Sequence, residues 1–125
     1  MKVVYLGDRR SAAEALMEIP GLSLAAWVFE ADNEEKNSIR IFCATNHVSA
    51  HEVNSKKALF EALKSMREID LGVIANFGII LSKETLALSK NGFVNVHLGA
   101  LPKYPGRNPV SDALRNGEKL LGVTL

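Results

Sequence analysis

Short apolar runs alternate with helically spaced apolar positions along this chain. Lys2–Leu6 (KVVYL) is β-branched and ends at Gly7, which predicts a strand. Ser11 and Glu14 have the spacing of a capping box, so a helix is expected through Ala15, Leu16 and Ile19 to a stop at Pro20-Gly21. Leu22–Phe29 (LSLAAWVF) predicts a second strand, Glu30–Ser38 a polar surface loop, and Ile39–Ala44 a third strand. Thr45–Asn54 has no clear period.

Farther on, Ser55 is placed as N-cap of a helix over Lys56–Arg67, with Leu59, Phe60, Leu63 and Met66 on one face. Leu71–Ala75 (LGVIA) is apolar throughout, the pattern of a strand covered on both faces. A short helix over Ser82–Leu88 and a strand over Gly92–His97 follow. Asn108-Pro109 opens a last helix that Gly117 closes. Leu120–Leu125 reads as a strand that stops in mid-run, either a C-terminal strand tucked into the sheet or the end of a truncated chain. Strands separated by helices imply crossover connections. The expected fold class is therefore α/β, a Rossmann-like domain with a mostly parallel sheet flanked by helices.

At 125 residues the chain has room for a single domain, residues 1–125, read as incomplete at its C-terminal end. Hydrophobic residues at 47% and charged residues at 23% exclude a disordered chain. Fifteen basic against fourteen acidic residues leave a net charge of +1, too little to hold nucleic acid by its overall field. The single cysteine, Cys43, excludes an internal disulfide framework and suits a reducing compartment. No apolar stretch approaches the ~18 residues of a membrane span, and none has the form of a signal peptide, so a cytoplasmic location is expected.

Chemistry is expected beyond the carboxyl ends of the strands. Gly7-Asp8-Arg9-Arg10 has one glycine where the dinucleotide fingerprint has three, and reads first as a strand-to-helix turn. Cys43, His47 and His51 are spaced by four and would share a helix face as zinc ligands; with no helix signal and no fourth ligand, solvated histidines are preferred and no metal is assigned. Ala75–Leu81 (ANFGIIL) would offer backbone donors and acceptors within an apolar wall, which suits a flat heteroaromatic ring. Asn95 and His97 are two apart, so a strand would point them the same way. They precede a loop with three prolines and two glycines in residues 98–109. Such a histidine can move protons and such an amide can stabilise an oxyanion.

Asn95-Val96-His97, Leu101-Pro102-Lys103-Tyr104, Gly106, Pro109, Gly117-Glu118 and Gly122-Val123-Thr124 together resemble the core signature of the folate-dependent formyltransferases. That family includes the methionyl-tRNA, glycinamide ribonucleotide and sugar-amine formyltransferases. Asp70-Leu71 through Leu81 is similar to its folate-side strand and loop, and the first twenty residues are more weakly similar to its opening strand and helix. The resemblance implies an enzyme that transfers a formyl group from 10-formyltetrahydrofolate, its co-substrate, to a primary amine. It implies that His97 transfers protons, that Asn95 stabilises the tetrahedral oxyanion, and that Phe77, Gly78, Ile79, Ile80 and Leu81, with Leu101 and Pro102, contact the folate. The family's third catalytic residue, an aspartate, lies past the strand that begins here at Gly122; none of Asp8, Asp32, Asp70 or Asp112 matches it. The 125 residues alone are therefore expected to be weakly active or inactive. Gly99-Ala100 replaces the family's frequent Ser-Leu, and Glu30–Ser38 is acidic where tRNA-acting members carry a basic insertion, while Lys103–Pro109 resembles the tRNA branch. The acceptor stays open, among methionyl-tRNA, an amino sugar and glycinamide ribonucleotide. The alternative is a catalytically incompetent domain of this type that binds folate or a nucleotide.

Overall fold

The structure, a computed structural model, describes all residues from Met1 to Leu125. The chain divides into two compact units, Met1–Val94 and Asn95–Leu125. The first unit is built in chain order from β1 (Lys2–Gly7), α1 (Arg10–Met17), β2 (Ser23–Glu30), α2 (Lys36–Thr45), β3 (Ser49–Val53), α3 (Lys56–Ser65), β4 (Leu71–Ala75) and α4 (Lys83–Leu86); β5 (Phe93–Val96) begins at its end. The sheet order is β3-β2-β1-β4-β5. The pairings of β1 with β2, β1 with β4 and β2 with β3 are all parallel. The α/β expectation holds. The order reverses at β1, so β1 and β4 flank a topological switch point, and Gly7 pairs with Ala75 there.

Alternation along β1 explains the two-faced core. Tyr5 points to one side, into a cluster with Ala13 and Leu16 of α1, Trp27 and Phe29 of β2, and Ile39, Phe42 and Cys43 of α2. Val4 and Leu6 point to the other side, against Ala26, Val28, Val53 and the α3 leucines Leu59 and Leu63. Both faces are covered, so β1 and β2 read as continuous apolar runs instead of alternating ones. The Trp27 indole donates to the Gly7 carbonyl at 2.8 Å, which satisfies the one polar atom of the largest core side chain.

Several boundaries depart from the sequence reading, each for a physical reason. Residues 39–44, expected as a strand, lie inside α2. Ile39, Phe42 and Cys43 are its buried residues, while Ile41 between them is 69% exposed. The apolar run was therefore one helix face with a single surface isoleucine. The strand β3 lies in the stretch without a clear period. It is an edge strand with only Val53 buried, so it carries no apolar run. Ser11 does not cap α1: the helix starts at Arg10, its N-cap is Arg9, and no side chain caps it. By contrast, Ser55 caps α3 as expected, its hydroxyl accepting from the Ala58 amide at 3.1 Å.

The second unit holds α5 (Pro109–Arg115), with Pro109 in its first turn and Asn108 at its N-cap. Gly117, just past the helix, takes φ +74°, the left-handed conformation a C-terminal glycine supplies. The run Leu120–Leu125, expected as a strand, contributes one antiparallel bridge, Thr124 to His97. Leu120 and Leu125 are 87% and 82% exposed.

Candidate active site

In the first unit the expected ring-binding segment follows β4. Asn76 turns the chain with φ +54°, and its amide nitrogen donates to the Asp8 carboxylate at the end of β1. The Gly78 amide donates to Glu30 Oε2 at 2.8 Å, so the last residue of β2 fixes the loop's course. Phe77, Ile79 and Leu81 pack against the α3-side core, while Ile80 is 74% exposed. Apart from the paired Gly78 amide, the loop's backbone groups, those of Ile79, Ile80 and Leu81 among them, enter no backbone hydrogen bond within the chain. The segment thus presents an exposed isoleucine beside polar backbone, anchored from below.

The turn after β1 is not built as a phosphate cradle. A Cβ on Gly7 would stand 2.1 Å from the Ala75 carbonyl oxygen and 2.4 Å from the Tyr5 hydroxyl, so close packing against β4 explains the glycine. The Arg9 amide donates to that hydroxyl at 3.0 Å. Arg9 lies 3.2 Å from Asp8, and Arg10 is bonded to Glu14 at 2.8 Å. The Arg9 amide and both arginine side chains are thus engaged within the chain, and a carboxylate sits at the head of the turn, the reverse of what an anion needs. Burial pushes the Tyr5 phenol up to about 12, so it stays a neutral hydrogen-bonding group.

The three residues weighed as zinc ligands do not share a helix face: Cys43 is buried on α2, His47 sits in a turn at φ +57°, and His51 lies on β3.

In the second unit the chemistry-bearing residues are held from several directions. Asn95 is exposed on β5, and His97 follows two residues later, half-buried. His97 exchanges both backbone hydrogen bonds with Thr124, each 2.9 Å. Its ring Nε2 lies 2.6 Å from the Tyr104 carbonyl oxygen. The Thr124 hydroxyl donates to the Gly99 carbonyl at 2.8 Å and accepts from the Leu101 amide at 3.1 Å, which pins both ends of the 99–101 turn. A Cβ on Gly99 would come within 2.6 Å of the Pro109 Cβ and 3.0 Å of His97 Nε2, so the histidine ring packs directly over this glycine. Leu101 and Pro102 are exposed. Asn95 takes no part in the bonds that fix this loop. The sequence reading singled out Asn95 and His97 as candidates; Tyr104, Glu118 and Thr124, which hold the His97 loop, entered it only within the family signature. Tyr104 is buried, and its hydroxyl donates to Glu118 Oε1 at 2.9 Å. Lys103 pairs with the same carboxylate and lies 5.4 Å from the Tyr104 ring centre. The hydrogen bond from Lys103 holds the Glu118 carboxyl below its ordinary value and raises Lys103 in return. No helical or strand period links residues 103, 104 and 118; the sequence brought them together only within the family signature.

Over its whole length the chain is similar to known proteins. Methionyl-tRNA formyltransferase of Thermotoga neapolitana is 35% identical over 137 aligned residues, covering 100% of this chain and 43% of that protein. Its Thermotoga maritima counterpart is 31% identical with the same coverage. The chain thus spans less than half the length of these curated relatives. Among solved structures, glycinamide ribonucleotide transformylase 1 of Symbiobacterium toebii superposes with a TM-score of 0.78 at 22% identity, over 99% of this chain and 64% of that one. A formyltetrahydrofolate deformylase of Pseudomonas syringae superposes with 0.77 at 21% identity, over 98% of this chain and 44% of that one. At these identities the superpositions establish the fold. The formyl transferase family profile matches residues 24–125, from the start of the second strand through the Asn95–His97 segment to the last residue, and the chain belongs to that family.

Proposed function

We propose that this chain carries the formyl-transfer chemistry of a folate-dependent enzyme that moves a formyl group from 10-formyltetrahydrofolate to a primary amine. The observation that carries the reading is His97, fixed through its backbone by Thr124 and through its ring by the Tyr104 carbonyl, with an exposed Asn95 two residues before it. Attack of an amine on the formyl carbon develops charge on the formyl oxygen and leaves a proton to be moved. Asn95 supplies a donor for the first need and His97 a proton acceptor for the second. The residues 77–81, with Leu101 and Pro102, are the proposed folate contacts, for which the unpaired backbone of Ile79–Leu81 beside exposed Ile80 is suited. The acceptor is of the methionyl-tRNA, glycinamide ribonucleotide or nucleotide-linked amino-sugar class.

The test is formyl transfer from 10-formyltetrahydrofolate to that amine panel. It uses the 125-residue chain and a form extended to include the family's aspartate. The extended form should transfer to one amine class, and the 125 residues alone should be far slower. No transfer by either form, with folate still bound, would favour the incompetent binding domain.

A further inference from the structure

We infer that His97 works through Nδ1, and that Tyr104 and Glu118 are positioning residues that set this choice. The inference rests on the reading of His97 as the proton-transfer residue. A backbone carbonyl can only accept a hydrogen bond. The 2.6 Å approach of Nε2 to the Tyr104 carbonyl therefore requires that Nε2 carry the proton. In the neutral ring this leaves the Nδ1 lone pair as the free base. The incoming amine would give its proton to Nδ1, producing an imidazolium protonated on both nitrogens, and the same Nδ1–H would return it to the folate leaving group. No further reactant is needed.

The orientation is fixed by more than one bond. The Tyr104 amide is tied to the Ala100 carbonyl at 3.1 Å. Its ring is buried, and its hydroxyl is bound to Glu118, which stands on the chain just past α5. The carbonyl that faces His97 is thus held at both ends of the tyrosine. Its position is set by a carboxylate that never touches the imidazole. Gly99 leaves the room in which the ring lies, because any side chain there would meet Nε2.

The experiment reads the ring nitrogens of the ¹⁵N-labelled 125-residue chain above the imidazole pKa, by long-range proton–nitrogen correlation. His97 is assigned by its loss in His97→Asn. We expect neutral His97 protonated on Nε2, with that proton protected from solvent exchange relative to a free imidazole. Tyr104→Phe and Glu118→Leu should each speed its exchange by roughly tenfold or more, as expected when a charge-assisted hydrogen bond is lost. Glu118→Gln keeps an acceptor for the tyrosine hydroxyl and should retain most of the protection. A merely structural role for Glu118 would not give this rescue pattern. Amide spectra of the β1–β4 residues report that each variant folds. A proton on Nδ1, or an Nε2 proton exchanging as fast as in a free imidazole, overturns the inference. So does protection unchanged in both Tyr104→Phe and Glu118→Leu. None of these readouts requires folate or turnover, so a failed formyl-transfer assay would count against the proposed function and not against the assignment of the nitrogen.

Discussion

Replacing Gly7 with alanine tests how the switch point is built. The added Cβ would lie 2.1 Å from the Ala75 carbonyl oxygen and 2.4 Å from the Tyr5 hydroxyl. The first neighbour is backbone of the paired strand, which cannot swing aside as a side-chain end can. β1 and β4 must separate where Gly7 meets Ala75, and the Gly7 carbonyl that accepts from Trp27 must shift with them. Forced overpacking of this kind costs about 1–3 kcal/mol, and the backbone neighbour places Gly7→Ala at the upper end. For 125 residues each kcal/mol corresponds to about 4 °C of Tm, so the melting point should fall by about 8–12 °C. Gly21→Ala is the control. Gly21 has φ +79° and open space around it, so only left-handed strain of about 1 kcal/mol is added. Thermal melts followed by circular dichroism, on both variants and on Gly7→Ala combined with Tyr5→Phe, separate the causes. Removing the phenol oxygen leaves the Ala75 clash and takes the acceptor from the Arg9 amide, so the double variant should be no more stable than Gly7→Ala. A Gly7→Ala protein that melts within about 2 °C of the parent would refute the packing argument.

Cys43 is 1% exposed and burial pushes its thiol up to about 11, so it should resist alkylation in the folded chain and react at once in denaturant, as thiol counting by mass spectrometry would show. Burial holds the His51 imidazole below its ordinary value, so the unfolded chain binds the proton more readily. Its contribution to stability is complete above the unfolded value of 6.5 and is lost as pH falls through the lower folded value, and denaturant melts of His51→Gln should lack that part of the acid slope. In a form extended past the family's aspartate, His97→Ala should lower kcat by roughly 10²–10⁴-fold. Asn95→Ala should lower it by roughly 10²–10³-fold. Asn95→Ala should leave the melting point nearly unchanged, since Asn95 is exposed, whereas His97→Ala should lower it by a few degrees at about 1 kcal/mol for the lost bond to the Tyr104 carbonyl.

What the sequence made legible follows from burial. β1, β2 and β4 carry apolar runs because helices cover both faces of the sheet, and α3 carries a capping serine with an apolar face above it. Ile39–Ala44 misled because six apolar-rich residues fit either a buried strand or a helix face, and only the exposure of Ile41 decides between them. β3 was silent because an edge strand with one buried residue needs no apolar pattern. Asn95 and His97 stood out as candidates through their spacing and their place before a constrained loop. The bond between Tyr104 and Glu118 did not, since it spans fourteen residues and is made by a hydroxyl reaching a carboxylate across a helix, a contact no local period encodes.

The most direct measurement is an amide-resolved NMR titration of the 125-residue chain with 5-formyltetrahydrofolate, a stable mimic of the proposed co-substrate. The account predicts saturable shifts at residues 77–81 and at Asn95, His97 and Leu101, with the Gly7–Arg10 turn unmoved. Shifts confined to Gly7–Arg10, or none at saturating ligand, would contradict it.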